Sequence, residues 1–136
     1  MKILAIETSC DETAAAIVED GRKILSNVVS SSFELHGKTG GIIPEVAARE
    51  QVKYMIPVLK KAMKQSNPSA PLRTTINDID AIAVTIGPGL NGSLLVGVET
   101  AKTIAFVTDT PIVPINHIFA HIYANWLNSD SIPVFP

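Results

Sequence analysis

His117 and His121 are the pair of side chains best suited to chemistry in this sequence. Four residues apart on a helix, two imidazoles lie on one face about one turn apart. That spacing suits two ligands of one metal ion, and imidazole suits zinc, iron or nickel. A pair alone leaves an ion short of ligands, and His-x-x-x-His also arises by chance. Ile118 stands where a zinc protease of the His-Glu-x-x-His kind places its catalytic Glu, which disfavours that mechanism.

Two further segments concentrate reactive groups. Glu7-Thr8-Ser9-Cys10-Asp11-Glu12-Thr13 packs three carboxylates and three hydroxyls into seven residues. Hydroxyls and backbone amides in such a turn can hold a phosphate, and carboxylates can hold a metal or orient a nucleophile. The alternative is a polar turn whose side chains satisfy their own backbone. Cys10 reads as packing rather than as a nucleophile, because nothing in the sequence lowers its pKa. Gly87-Pro88-Gly89-Leu90-Asn91-Gly92-Ser93 joins a strand to a helix, and its backbone amides can approach an anion at the positive helix end. It matches neither the Walker A pattern nor the dinucleotide fingerprint, so a plain tight turn stands beside the phosphate reading. His36 lies in a glycine-rich loop and is expected at the surface. Arg49, Lys53, Lys60, Lys61 and Lys64 form a basic stretch, either a solvated helix face or a phosphate contact.

The elements that must position these groups follow from periodicity. Lys2 to Glu7 reads as a buried strand, followed by apolar runs at Thr13 to Glu19 and Lys23 to Ser31. Asp20-Gly21 between the last two signals a tight hairpin. The spacing of Ala48, Val52, Met55, Ile56, Leu59 and Met63 predicts an amphipathic helix over Pro44 to Gln65, kinked at Pro57. Glu34 to Gly41 and Ser66 to Asn77 read as connections. Ile79 to Ile86 is a strand buried on both faces, Leu94 to Val107 a helix, and Ile112 to Ile115 a short strand. Asn116 caps a last helix to about Asn128. A meander followed by crossover helices predicts an α/β fold, a ribonuclease H-like mixed sheet with flanking helices.

Composition bounds the function. At 136 residues, 46% hydrophobic and 18% charged, the chain makes one domain with a real core. Eleven basic against thirteen acidic residues argue against a strongly basic nucleic-acid module. One cysteine excludes an internal disulfide. The opening residues are no secretory signal, and no stretch is apolar for long enough to span a membrane, so a soluble cytoplasmic domain is expected. Ser131 to Pro136 reads as the approach to another strand, and further sequence is expected beyond it.

Four blocks in order carry a resemblance to a known family. Ile6-Glu7-Thr8-Ser9-Cys10-Asp11-Glu12-Thr13 resembles the opening signature of the universal tRNA threonylcarbamoyladenosine synthases, formerly described as O-sialoglycoprotein endopeptidases or glycoproteases. Gly40 to Arg49 resembles their second block, Gly87 to Gly97 the third, and Asn116-His117 through His121 their metal motif. The resemblance implies one lobe of the ASKHA (actin-like ATPase) fold: residues 1–136 as the first lobe, with a second lobe outside this sequence. It implies transfer of a threonylcarbamoyl group from threonylcarbamoyl-adenylate to N6 of adenosine 37 of tRNA, a reaction this lobe alone is expected not to support. His117 and His121 become ligands of a divalent metal, iron or else zinc, with the third protein ligand in the second lobe. Ser9, Gly87, Gly89 and Gly92 become contacts of an adenine nucleotide (the adenylate or ATP). Glu12 and Asp11 become the acid-base or positioning carboxylates. The implied partners are tRNA, an ASKHA paralogue and small ATPase subunits of a modification complex, or a second copy, and no membrane. Two other readings stand beside this one: a non-catalytic ASKHA paralogue acting as a dimerisation partner, which usually lacks the histidine pair, and the older metalloprotease.

Overall fold

Three antiparallel strands open the chain: β1 (Lys2–Glu7), β2 (Glu12–Glu19) and β3 (Lys23–Ser31). A computed structural model describes residues 1–37, 39–66 and 75–128. Asp20 and Gly21 both adopt positive φ, 51° and 72°, and Arg22 N–H donates to the Glu19 carbonyl at 3.1 Å. This is the tight turn expected of Asp-Gly, whose twist matches that of the strands it joins. Two parallel strands, β4 (Ala81–Gly87) and β5 (Ile112–Asn116), complete a mixed sheet of order β3-β2-β1-β4-β5. Parallel pairing of β1 with β4 aligns Leu4 with Ile82 and Ile6 with Val84. The carboxyl ends of β1, β4 and β5 therefore lie side by side.

Alternation divides the sheet into two unlike faces. Leu4, Ile6, Ala15, Ile17, Val28, Ile82 and Val84 point to one side and form the core beneath two helices, α2 (Pro44–Gln65) and α3 (Asn91–Thr108). Ala5, Glu7, Ala14, Ala16, Asn27 and Ala83 line a cavity on the other side, which is roofed only in part by α4 (His117–Ala124). None of the α4 residues is buried.

Several expectations need correction. The buried face of α2 is Ala47, Gln51, Met55, Val58, Leu59 and Ala62, whereas Val52 and Ile56 are exposed. The face is thus turned by about one residue from the one expected, because a buried glutamine, Gln51, stands in the apolar stripe. α2 runs through Pro57 as one helix, with Met55, Val58 and Leu59 on either side of it packed into the core. Residues Phe33–Gly37 form a short helix, α1, rather than a loop, and His36 on it is buried, not at the surface. β4 begins at Ala81 rather than Ile79, and α3 begins at Asn91, so Gly92 and Ser93 belong to its first turn. Asp109, in the left-handed conformation at φ 52°, ends α3. α4 ends at Ala124, four residues before the expected Asn128. A 3-10 turn at Ile76–Asp78 occupies the end of the Ser66 to Asn77 connection. Most of the rest of that connection, and the apolar Ser131 to Pro136 segment, lie outside the described residues.

Candidate functional site

The side chains of interest gather where the carboxyl ends of the parallel strands meet, the edge at which open α/β sheets place their ligands. Glu7 ends β1, Thr85 lies near the end of β4, and Asn116 ends β5 immediately before His117. Asn116 accepts hydrogen bonds on its side-chain oxygen from the N–H groups of Ile118 at 2.9 Å and Phe119 at 3.2 Å. It is the cap the sequence leads one to expect, and it fixes where α4 starts and hence where its histidines point.

His117 and His121 are one turn apart, with Nε2 atoms 3.0 Å from each other and rings edge to face at a centroid distance of 4.4 Å. The opposite edge of the His117 ring faces the sheet. Its Nδ1 lies 3.2 Å from Ser9 Oγ and 3.3 Å from Glu7 Oε2. Thr85 Oγ1 donates to the same Glu7 oxygen at 2.5 Å, and the Ser9 backbone N–H donates to Glu7 Oε1. Partial burial pushes the Glu7 carboxyl up, but the hydrogen bonds from Ser9, Thr85 and His117 outweigh it and hold the group below the usual carboxylate range. Glu7 is therefore an ionised acceptor. These groups line one end of a cavity of about 380 Å³ whose floor is alanine: Ala5, Ala14, Ala16 and Ala83.

The loop between β1 and β2 is held from below through its own carbonyls, which accept from donors on α2, α3 and the turn before α3. Gln51 of α2, buried in the core, donates from Nε2 to the carbonyls of Thr8 (3.3 Å), Cys10 (3.1 Å) and Glu12 (2.9 Å). Ser93 Oγ donates to the Cys10 carbonyl at 2.9 Å, and Leu90 N–H to the Ser9 carbonyl at 2.7 Å. Two glycines make this approach possible. A Cβ on Gly89 would lie 2.5 Å from the Ser9 carbonyl oxygen, and one on Gly97 would run into Thr8 Oγ1.

The expected site residues are thus placed as follows. His117, His121 and Ser9 come together. Gly89 reaches the same loop through its backbone, in contact with Ser9 rather than with open space. Gly87 ends β4 with φ 150° and a cis bond to Pro88, and Gly92 faces Ala48. Glu12 is exposed at the start of β2, two residues before Ala14 and hence on the cavity side of the sheet, but does not line the cavity. Asp11 is half-buried, and its carbonyl accepts from Ser32 Oγ at 2.7 Å. Cys10 is exposed rather than packed, and partial burial pushes its thiol pKa up, so it is not an activated thiol. Arg49 and Lys53, both exposed on α2, pair with the exposed Glu45 and the largely covered Glu50. Among the described residues no cluster of three or more His, Cys, Asp or Glu side chains is arranged to hold a metal ion.

Glu7 is the residue that a reading by motif passes over. It counts there as one of three carboxylates in a polar turn. The available signal is its register: it follows Ala5 on the cavity face and closes a strand whose parallel neighbour ends beside it.

Comparison with known proteins bears on the family and the fold. Residues 23–136 match the model of the TsaD family, tRNA N6-adenosine threonylcarbamoyltransferase. The chain is 54% identical over 138 residues to the tRNA N6-adenosine threonylcarbamoyltransferase of Thermomicrobium roseum, covering 98% of this chain and 36% of that protein. It is 52% identical over 136 residues to that of Dehalococcoides mccartyi, covering 100% of this chain and 40% of the relative. The chain thus spans well under half the length of the curated relatives it matches. Among solved structures, YeaZ from Pseudomonas aeruginosa superposes with a TM-score of 0.59 at 17% identity, over 85% of this chain and 43% of YeaZ. RuvC of T. thermophilus, solved with a Holliday junction substrate, gives 0.52 at 11% identity over 99% of this chain and 83% of RuvC. These likenesses support the ribonuclease H-like α/β fold and carry nothing about chemistry. No helix among the described residues is long and apolar enough to cross a membrane.

Proposed function

Because the chain belongs to the tRNA N6-adenosine threonylcarbamoyltransferase family, we propose that it forms the metal-bearing wall of an active site that transfers a threonylcarbamoyl group to N6 of adenosine 37 in tRNA. The observation that carries this reading is the convergence of His117 and His121, whose Nε2 atoms lie 3.0 Å apart at the mouth of the cavity. A metal–imidazole bond is about 2.1 Å long, so two nitrogens on adjacent coordination positions sit roughly 3.0–3.4 Å apart, from right-angled to tetrahedral positions. The pair fits that requirement. Two nitrogen donors suit iron or zinc, and the remaining ligands are left to groups outside the described residues, to substrate or to water. When bound, such an ion supplies Lewis acidity toward phosphate and carbonyl oxygens.

The donor would be threonylcarbamoyl-adenylate, a mixed anhydride. Attack of N6 forms the new N–C bond, the carbon–oxygen bond to the phosphate breaks, and AMP leaves with that electron pair. One proton must leave N6. We assign that proton to Glu12, an exposed carboxylate on the cavity side of the sheet, with Asp11, its neighbour in the chain, as a positioning group. N6 is weakly basic, so holding it against the carbonyl matters more than abstracting its proton. Ser9, Gly87, Gly89 and Gly92 are assigned to the adenine nucleotide, because the strand-to-helix turn that holds the three glycines ends at the N–H groups of the first turn of α3, which suit a phosphate. The partners proposed are tRNA, an ASKHA paralogue and small ATPase subunits, in the cytoplasm, with a second lobe completing the cleft. The paired histidines favour this reading over a non-catalytic paralogue.

Threonylcarbamoyl transfer to tRNA by the full-length protein, with the adenylate supplied, tests the assignment. Glu12→Gln is expected to lower turnover roughly 10²-fold with melting temperature unchanged. Unchanged turnover would remove Glu12 from the reaction.

A further inference from the structure

We infer that Glu7 is a positioning residue: its carboxylate holds His117 in the tautomer with hydrogen on Nδ1, so that Nε2 turns its lone pair toward His121. This rests on the reading of His117 and His121 as metal ligands, and it extends that reading to a residue outside the histidine motif.

The argument is one of donors and acceptors. Both oxygens of the Glu7 carboxylate already accept hydrogen bonds, Oε2 from Thr85 Oγ1 and Oε1 from the Ser9 N–H, so the group presents lone pairs to its neighbours. Glu7 Oε2 lies 3.3 Å from His117 Nδ1, so the hydrogen between them belongs to the imidazole. Ser9 Oγ, 3.2 Å from the same nitrogen, can share that hydrogen as a second acceptor. The carboxylate is itself fixed, on Oε2 by Thr85 Oγ1 at 2.5 Å and on Oε1 by the Ser9 backbone N–H. Thr85 is buried, so its donor has no water to turn to. The chain Thr85–Glu7–His117 therefore aims one ring from inside the sheet. Metal-bound histidines commonly donate their second N–H to a carboxylate in this way, which sets the ring's orientation and raises its basicity.

A consequence follows for His121. With the lone pair of His117 Nε2 turned toward His121 Nε2 at 3.0 Å, a hydrogen shared between the two rings would come from His121. An ion between the two rings requires that hydrogen to move to His121 Nδ1. Metal entry thus changes the tautomer of His121 and leaves that of His117 as it is.

Imidazole ¹⁵N shifts of the metal-free, full-length protein test the proposal, together with titration by zinc ion alone. Hydrogen on Nδ1 of His117 and on Nε2 of His121 is expected, with only His121 changing on zinc addition. Glu7→Gln should weaken zinc binding about 10- to 100-fold and mix the His117 tautomers. Thr85→Val, which leaves Glu7 in place but frees it, should weaken binding less, and it serves if Glu7→Gln does not fold. Hydrogen on His117 Nε2 in the parent protein, or zinc affinity unchanged in Glu7→Gln, would overturn the assignment. If the parent binds no zinc and no iron, the metal reading falls, while the tautomer of His117 still decides the part given to Glu7.

Discussion

Along β1, Leu4 and Ile6 point to one face of the sheet while Ala5 and Glu7 point to the other, and the two faces have opposite inventories. The side beneath α2 and α3 is filled mostly with aliphatic residues packed into one core. The opposite side is floored with alanine and edged with Glu7, Thr85, His117 and His121. Alternation alone builds both. Large side chains on one face generate the stability, and small ones on the other leave the volume in which polar groups meet a ligand. The difference teaches that a strand can be half scaffold and half site, residue by residue.

Substitutions on neighbouring residues separate the two roles. Leu4→Ala removes a side chain with no exposed surface and should cost about 2–5 kcal/mol in denaturant unfolding, a cavity cost the packed face cannot relax away. Gly97→Ala comes next. Its methyl group collides with Thr8 beneath α3, and overpacking of about 1–3 kcal/mol is only partly offset by the better helix propensity of alanine. Gln51→Leu should cost roughly 1 kcal/mol, because three loop carbonyls lose a shared donor while the buried, unpartnered Gln51 Oε1 disappears with it. Its effect on transfer should exceed its effect on stability, since the loop it holds carries Ser9 and Glu12. Ala5→Ser, one residue from Leu4 but on the cavity face, should shift stability by less than about 0.5 kcal/mol. An equal cost for Leu4→Ala and Ala5→Ser would erase the distinction between the faces.

Much of this arrangement is legible in the sequence, where local rules decide it. The Asp20-Gly21 turn, the three strands of the meander, the span of α2 and the Asn116 cap all follow from patterns within a few residues. The histidine pair follows from helical spacing. The rest depends on partners distant in the chain. Gln51 reads as an interruption of an apolar stripe until the Thr8, Cys10 and Glu12 carbonyls are brought beneath it from about forty residues away, and so the spacing of apolar residues alone points to the wrong face of α2. His36 looks like a loop residue because a five-residue helix has no periodicity to reveal it. Gly89 and Gly97 have the composition of a phosphate loop, yet their space is used by the backbone and side chain of the β1–β2 loop. Glu7 needed the register between β1 and β4, which no single segment contains.

The central claim is that the cavity face, and not the packed face, holds the metal. Titration of the full-length protein and its His121→Ala variant with iron(II) under anaerobic conditions, or with zinc, tests it most directly when the melting temperatures of both are taken in parallel. His121 is exposed and supports no core contact. The account predicts that His121→Ala abolishes binding while melting within a few degrees of the parent. Metal bound by His121→Ala as tightly as by the parent would contradict it.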